Sequence, residues 1–146
     1  MGFLDRAAHA AAGAPRLWSA ARRAGLSHSQ AAQVLLVSQA ALRNAAQHGT
    51  GVPGRANAMR HFLWQAVLTA RFGREAAEAI AVAQETGSPT ARDSRVDAQN
   101  NAVGQDHGEV HAAELSRGSA SSAVAGLVPV ALEKWERDEL VWVKPR

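Results

Sequence analysis

From Ser27 to about Thr86 apolar residues return every three or four positions, block after block, and glycine or proline separates the blocks. In the first block Ala31, Val34, Leu35, Ser38, Ala41, Leu42 and Ala45 follow the i, i+3, i+4, i+7 spacing of one helical face. Ser27 and Gln30 make a capping box at its start, and the pattern runs to about Gln47. Residues 48–54 contain three glycines and a proline and read as a loop. A second block over 56–71 carries Met59, Phe62, Leu63, Ala66, Val67 and Ala70, and Phe72-Gly73 breaks it. A third over 74–86 carries Ala76, Ala77, Ile80, Ala81 and Ala83 and stops at Thr86-Gly87-Ser88-Pro89. Asp93 is placed as the N-cap of a long helix reaching about Arg117. Gly118 to Ser122 are a loop or helix start, and Gly126 and Pro129 argue against one straight helix over 122–137. Two short Ala-rich helices, 3–12 and 16–24, precede these blocks. The tail from Glu139 to Lys144 is either an extended clasp or a helix end.

With no tyrosine and few runs of β-branched residues, the composition points away from a sheet-based fold. The 146 residues suit one domain, and a hydrophobic fraction of 47% is enough for its core. The expectation is an all-α, single compact bundle of about five to seven helices with a short extended C-terminal tail. Within domain 1–146, residues 1–52 supply N-terminal helices, 53–117 a polar-motif core and 118–146 a C-terminal segment.

Cysteine is absent, which removes disulfides, thiolate metal sites and a cysteine nucleophile. The net charge of +3 is spread along the chain, in Arg22-Arg23, Arg55 with Arg60, Arg71 with Arg74 and Arg92 with Arg95, so nucleic acid is not indicated as a partner. No apolar run reaches the roughly 20 residues that span a bilayer. The N-terminal stretch lacks the layout of a secretory signal, so the expected location is cytoplasmic, or outside the cell by a non-classical secretion system.

Polar residues stand where helical spacing asks for apolar ones. Asp93, Asp97, Asn100, Gly104, His107 and His111 step by 4, 3, 4, 3 and 4 along the long helix. If that face is buried, each group needs a partner. On the helix after Pro53, Asn57, Arg60, His61 and Trp64 share one side. Arg60 offers a fork for carboxylate or phosphate, and His61 a proton donor or acceptor near neutral pH. Trp64 shields this pair from water or stacks on Arg60. Three successive helices thus bring Arg60, His61, Glu85, Asp97 and Asn100 or Asn101 to one pocket, with Gly104 allowing a close approach by backbone or ligand. The bland alternative is an internal polar staple. His107 and His111 lack a third metal ligand at a persuasive spacing and read as exposed. Asp93 and Asp97 give only a weak divalent-cation signal, and no other metal or cofactor is expected.

Three segments carry a resemblance: Asn57-Ala58-Met59-Arg60-His61-Phe62-Leu63-Trp64, Ala83-Gln84-Glu85 and Asp97-Ala98-Gln99-Asn100-Asn101-Ala102-Val103-Gly104. Together they resemble a poorly characterised bacterial helical domain found in small proteins and near the C-termini of secreted or toxin-like proteins. Its pattern has histidine where this chain has Gln84, and often histidine where it has Gln99, which weakens a metal site at those two positions. The resemblance implies a helical fold and a site, with Arg60, His61, Glu85, Asp97 and Asn100 intact.

Two functional readings follow. In the first, preferred on sequence grounds, the chain is a toxin- or effector-like hydrolase of a phosphate or carboxylic ester in a lipid, cell-wall precursor or nucleic acid. Arg60 holds the anion, His61 is general acid or base, Glu85 or Asp97 orients it and Asn100 donates to the oxyanion. Asn57, Trp64, Asn101 and Gly104 line the substrate, and an immunity or carrier protein is a possible partner. In the second, the chain is a helical binding or assembly module, its polar motif a structural network and exposed Trp18, Trp135 and Trp142 its contact surface.

Overall fold

The computed structural model describes residues 14–85 and 91–142, with the backbone alone described for Glu85 and residues 91–94. Helix α1 covers residues 14–23. It is followed by α2 (His28–His48), α3 (Arg55–Phe72), α4 (Arg74–Glu85), α5 (Ala91–Val110), α6 (Ala112–Leu115), α7 (Ala120–Gly126) and α8 (Val128–Glu136). Among the described residues there is no strand, as the helical periodicity requires. The short helix expected over 3–12 lies outside the described residues.

Local chemistry sets the helix ends. Ser27 accepts from the Gln30 amide while the Gln30 side chain accepts from the Ser27 amide, the reciprocal pair that opens α2. Gly73 takes φ +92, and its N–H closes α3 on the Thr69 carbonyl. Ser119 caps α7 through the Ser122 amide. Pro129 falls in the first turn of α8, where its missing N–H costs nothing, so 120–136 splits at Leu127. Two expectations need correction. The helix after the 86–90 segment already begins at Ala91, so Asp93 lies inside it and is not its N-cap. That helix also ends at Val110, because His111 leaves helical geometry at φ −109, ψ 26 before the single turn of α6.

Helix α3 is the axis of the fold. Residues 61–69 are all buried, so this helix is enclosed on every side rather than on one face. It packs on α2, α4, α5, α6, α7 and α8, and one hydrophobic cluster runs from Ala20 to Leu140. Its closest neighbour is α5, and the two run parallel, with α4 as the return stroke. Two glycines permit the approach. A Cβ on Gly104 would stand 2.7 Å from the Phe62 carbonyl oxygen, and one on Gly108 would overlap the Ala66 carbonyl. Arg74 ties α4 to α5 through Asp106 and Glu109. Arg71 reaches across from α3 to donate to the carbonyls of Leu115, Arg117 and Gly118, acceptors left open where α6 ends.

The described part of the tail, through Trp142, leaves the helix after Glu136 and clasps the bundle. Leu140 is 3% exposed. Val141 exchanges two hydrogen bonds with the Asn100 side chain, its N–H donating to Oδ1 and its carbonyl accepting from Nδ2, each at 2.8 Å. The Trp142 ring sits against the bare α-carbon of Gly54, which holds φ +79 ahead of α3. Trp142 is therefore half-buried, as are Trp18 and Trp135, which pack on the core. None of the three forms the exposed contact surface expected of it.

Candidate functional site

The α3–α5 seam is a ladder of side-chain pairs, each separated by forty residues. Asn57 Nδ2 donates to Asp97 Oδ1 at 3.0 Å. His61 Nδ1 lies 2.8 Å from Asn101 Oδ1. Gln105 Nε2 donates to Gln65 Oε1 at 2.7 Å. A constant offset in steps of four residues requires helices that run parallel with matched phase. The ladder opens at one end, where Asn57 is exposed and the Asp97 side chain 20% exposed, and passes inward to His61 at 3% and Gln65 at 0%.

His61 is held at both nitrogens. Its Nε2 lies 3.3 Å from Arg60 Nη2 and 3.3 Å from Asp97 Oδ1. A guanidinium can only donate, so Nε2 presents its lone pair to Arg60, and Nδ1 carries the proton given to Asn101. Burial, then the Arg60 charge, lowers the His61 pKa to about 4, against the opposing pull of Asp97 and Asn101. The imidazole is neutral at pH 7, and the Asp97 contact becomes an ion pair only on protonation. Burial also lowers the pKa of half-buried Arg60, opposed by Asp97, without removing its charge.

A pH dependence follows. Unfolded, His61 titrates near 6.5; folded, at about 4. Between these values the unfolded chain takes up a proton that the folded chain does not, so its contribution is full above about pH 6.5. It is lost as pH falls toward about 4, by on the order of 3 kcal/mol. His107, held near 4 by burial and then by His111 and Lys134, adds to the fall. Urea midpoints between pH 7 and 4.5, measured with His107→Gln as background, should fall more steeply for that protein than for the same protein carrying His61→Gln. Parallel curves would show that His61 does not titrate in this way.

The remaining candidates divide. Asn57, Arg60, His61, Asp97 and Asn101 come together. Trp64 is 6% exposed and meets His61 edge-on, with ring centroids 6.0 Å apart, rather than stacking on Arg60. Gly104 is filled by the α3 backbone. Asn100 is turned away from His61 to Val141, so its amide serves the tail and not an oxyanion. The side chains of Glu85 and Asp93 lie outside the described residues. His107 is half-buried rather than exposed, with its ring against Phe62 and 4.2 Å from that of His111, whose side chain is 38% exposed.

The innermost rung, Gln65 with Gln105, escaped the sequence reading. Its signal was a glutamine four residues beyond His61 and another four beyond Asn101. Gln65 Nε2 has no hydrogen-bond partner among the described residues, so this rung is imperfectly satisfied. Gln65→Leu alone strands the Gln105 amide and should cost about 1–3 kcal/mol, whereas Gln65→Leu with Gln105→Leu should lie within about 1 kcal/mol of the parent or above it. Chemical denaturation of the two proteins checks the asymmetry; equal losses would mean that packing, not pairing, sets the cost.

The chain belongs to the family described as Domain of unknown function (DUF6973), whose family model matches residues 24–128. That span includes the whole ladder and stops before the tail. No curated protein and no solved structure matches the chain.

Proposed function

We propose that this protein is a helical binding or assembly module, and that its polar motif is the network fixing the register of α3 against α5. The observation that carries this reading is the forty-residue offset repeated over three hydrogen-bonded pairs. One of those pairs, Gln65 with Gln105, lies outside the motif and too deep for a substrate. Both nitrogens of His61 are engaged, Gly104 is consumed by helix contact and Asn100 by the tail. In a low-dielectric seam such pairs select one register, because any other strands polar groups.

A second reading, a hydrolase, draws on the outer rung. There His61 Nε2 faces a partly exposed carboxylate, and the Arg60 guanidinium makes no ion pair among the described residues. On this reading Arg60 holds a phosphate or carboxylic ester and neutral His61 takes a proton. The toxin-like resemblance and an immunity or carrier partner belong to this reading.

One experiment separates the two. The parent, His61→Ala and Arg60→Ala are expressed in a bacterial cytoplasm and periplasm, and growth and melting temperature are recorded. The module reading expects growth in every case and a large loss of stability for His61→Ala. Toxicity of the parent, abolished by His61→Ala with the melting temperature kept, would replace it with the hydrolase.

A further inference from the structure

Asn100 is wholly buried, yet its amide is spent on the main chain of another segment rather than on a side chain. Oδ1 takes the Val141 N–H and Nδ2 gives to the Val141 carbonyl, both at 2.8 Å. One residue of extended backbone is thereby read at both its polar groups, as a neighbouring β-strand would read it. The Val141 side chain is half-buried and takes no part in this exchange. Selectivity sits on either side: Leu140 enters the core at 3% exposure, and the Trp142 ring lies where any Cβ on Gly54 would collide with it. Turning off α8 to reach this site places Asp138 at φ +60, a left-handed conformation that a residue with a side chain adopts at a cost. Gly54 and Asn100 lie within the span matched by the family; Leu140, Val141 and Trp142 lie beyond it.

We infer that Asn100, Gly54 and the Leu140 pocket form a binding site for an extended peptide of the form aliphatic–any–aromatic, which the chain's own tail fills. Main-chain bonds give such a site affinity and the flanking pockets give it specificity, the logic of strand addition. The tail is held by few anchors, Leu140, the Asn100–Val141 pair and the Trp142–Gly54 contact, so it can open locally while the bundle stays folded. A partner segment presenting the same backbone and the same two side chains takes its place. This inference rests on the module reading and gives that module its ligand class.

The test uses full-length protein and a capped peptide, Asp-Glu-Leu-Val-Trp, with a fluorescent label. Val141→Pro deletes the N–H that Asn100 accepts and releases the tail. Trp142→Ala releases it more gently and serves if the proline variant loses its helical circular dichroism. Expected is binding at least tenfold tighter to a released variant than to the parent, with the Asn100 side-chain amide and Gly54 amide signals shifting in NMR spectra. A peptide N-methylated at valine, or with alanine for tryptophan, should bind at least tenfold more weakly. Folded, released variants that ignore the peptide would overturn the proposal, and so would equal affinity for the N-methylated peptide. The fate of the module reading is separate. If the peptide binds while the parent proves toxic through His61, that reading falls and this site stands; if the peptide fails and no form is toxic, the reverse holds.

Discussion

Gly108→Ala is expected to lower stability by about 2–4 kcal/mol, a fall in melting temperature of roughly 5–15 °C for a chain of this size. The added methyl would overlap the Ala66 carbonyl and approach the Thr69 Cβ to 2.8 Å. A carbonyl oxygen in mid-helix cannot rotate away, so the strain is relieved only by parting α3 from α5. Parting them stretches the hydrogen bonds at Gln65 and His61 together, which is why the effect exceeds that of an ordinary methyl group. Gly126→Ala supplies the control. A Cβ there meets nothing within 4 Å and the residue lies within α7, so alanine should raise stability by up to about 1 kcal/mol. Thermal melts of both proteins decide the matter, and a Gly108→Ala melt indistinguishable from the parent would mean that the seam is looser than drawn.

His61→Ala is expected to cost about 3–4 kcal/mol at pH 7. The ring fills buried volume beside Trp64, so its loss leaves a cavity. Asn101 Oδ1 loses its donor at 2.8 Å, and Arg60 loses the lone pair that accepts from Nη2. Adding Asn101→Leu to His61→Ala should cost less than the two single effects summed, because a partner already lost cannot be lost twice. Urea denaturation of the four proteins of that cycle gives the coupling directly. Additive losses would place the two residues in separate networks and remove the central rung from the account of register.

The helices were legible because their chemistry is local: Ser27 with Gln30, Gly73 and Pro129 each act within a turn of their own position. The convergence of Arg60, His61, Asp97 and an asparagine at 100 or 101 was also legible, since misplaced polar residues on successive helices must find one another; Glu85, the fifth member expected there, has its side chain outside the described residues. Which asparagine does what was not. Neighbours on a helix point about 100° apart, and only the position of α3 decides that Asn101 faces His61 while Asn100 faces the tail. The parallel pairing was hidden for the same reason, since relative phase between helices is a tertiary quantity. Gln65 and Gln105 were passed over because each lies one residue beyond its motif, Gln65 as an interruption in an apolar run and Gln105 among other polar residues. The three tryptophans were misjudged because how the segments that carry them dock on the bundle is a tertiary quantity, and local sequence says little about which side of a ring meets the core.

The Asn57–Asp97, His61–Asn101 and Gln65–Gln105 pairs also bear on where this chain tolerates a change of length. One residue inserted in α5 between Asp97 and Asn101 would turn everything beyond it by about 100°. Asn101, Gly104, Gln105 and Gly108 would then all lose their opposites at once. The same insertion between α4 and α5 would leave every pairing untouched, since nothing in the ladder measures the path taken by the return stroke. Homologous chains should therefore vary in length around residues 86–90 and hold their spacing from Asp97 to Gly108.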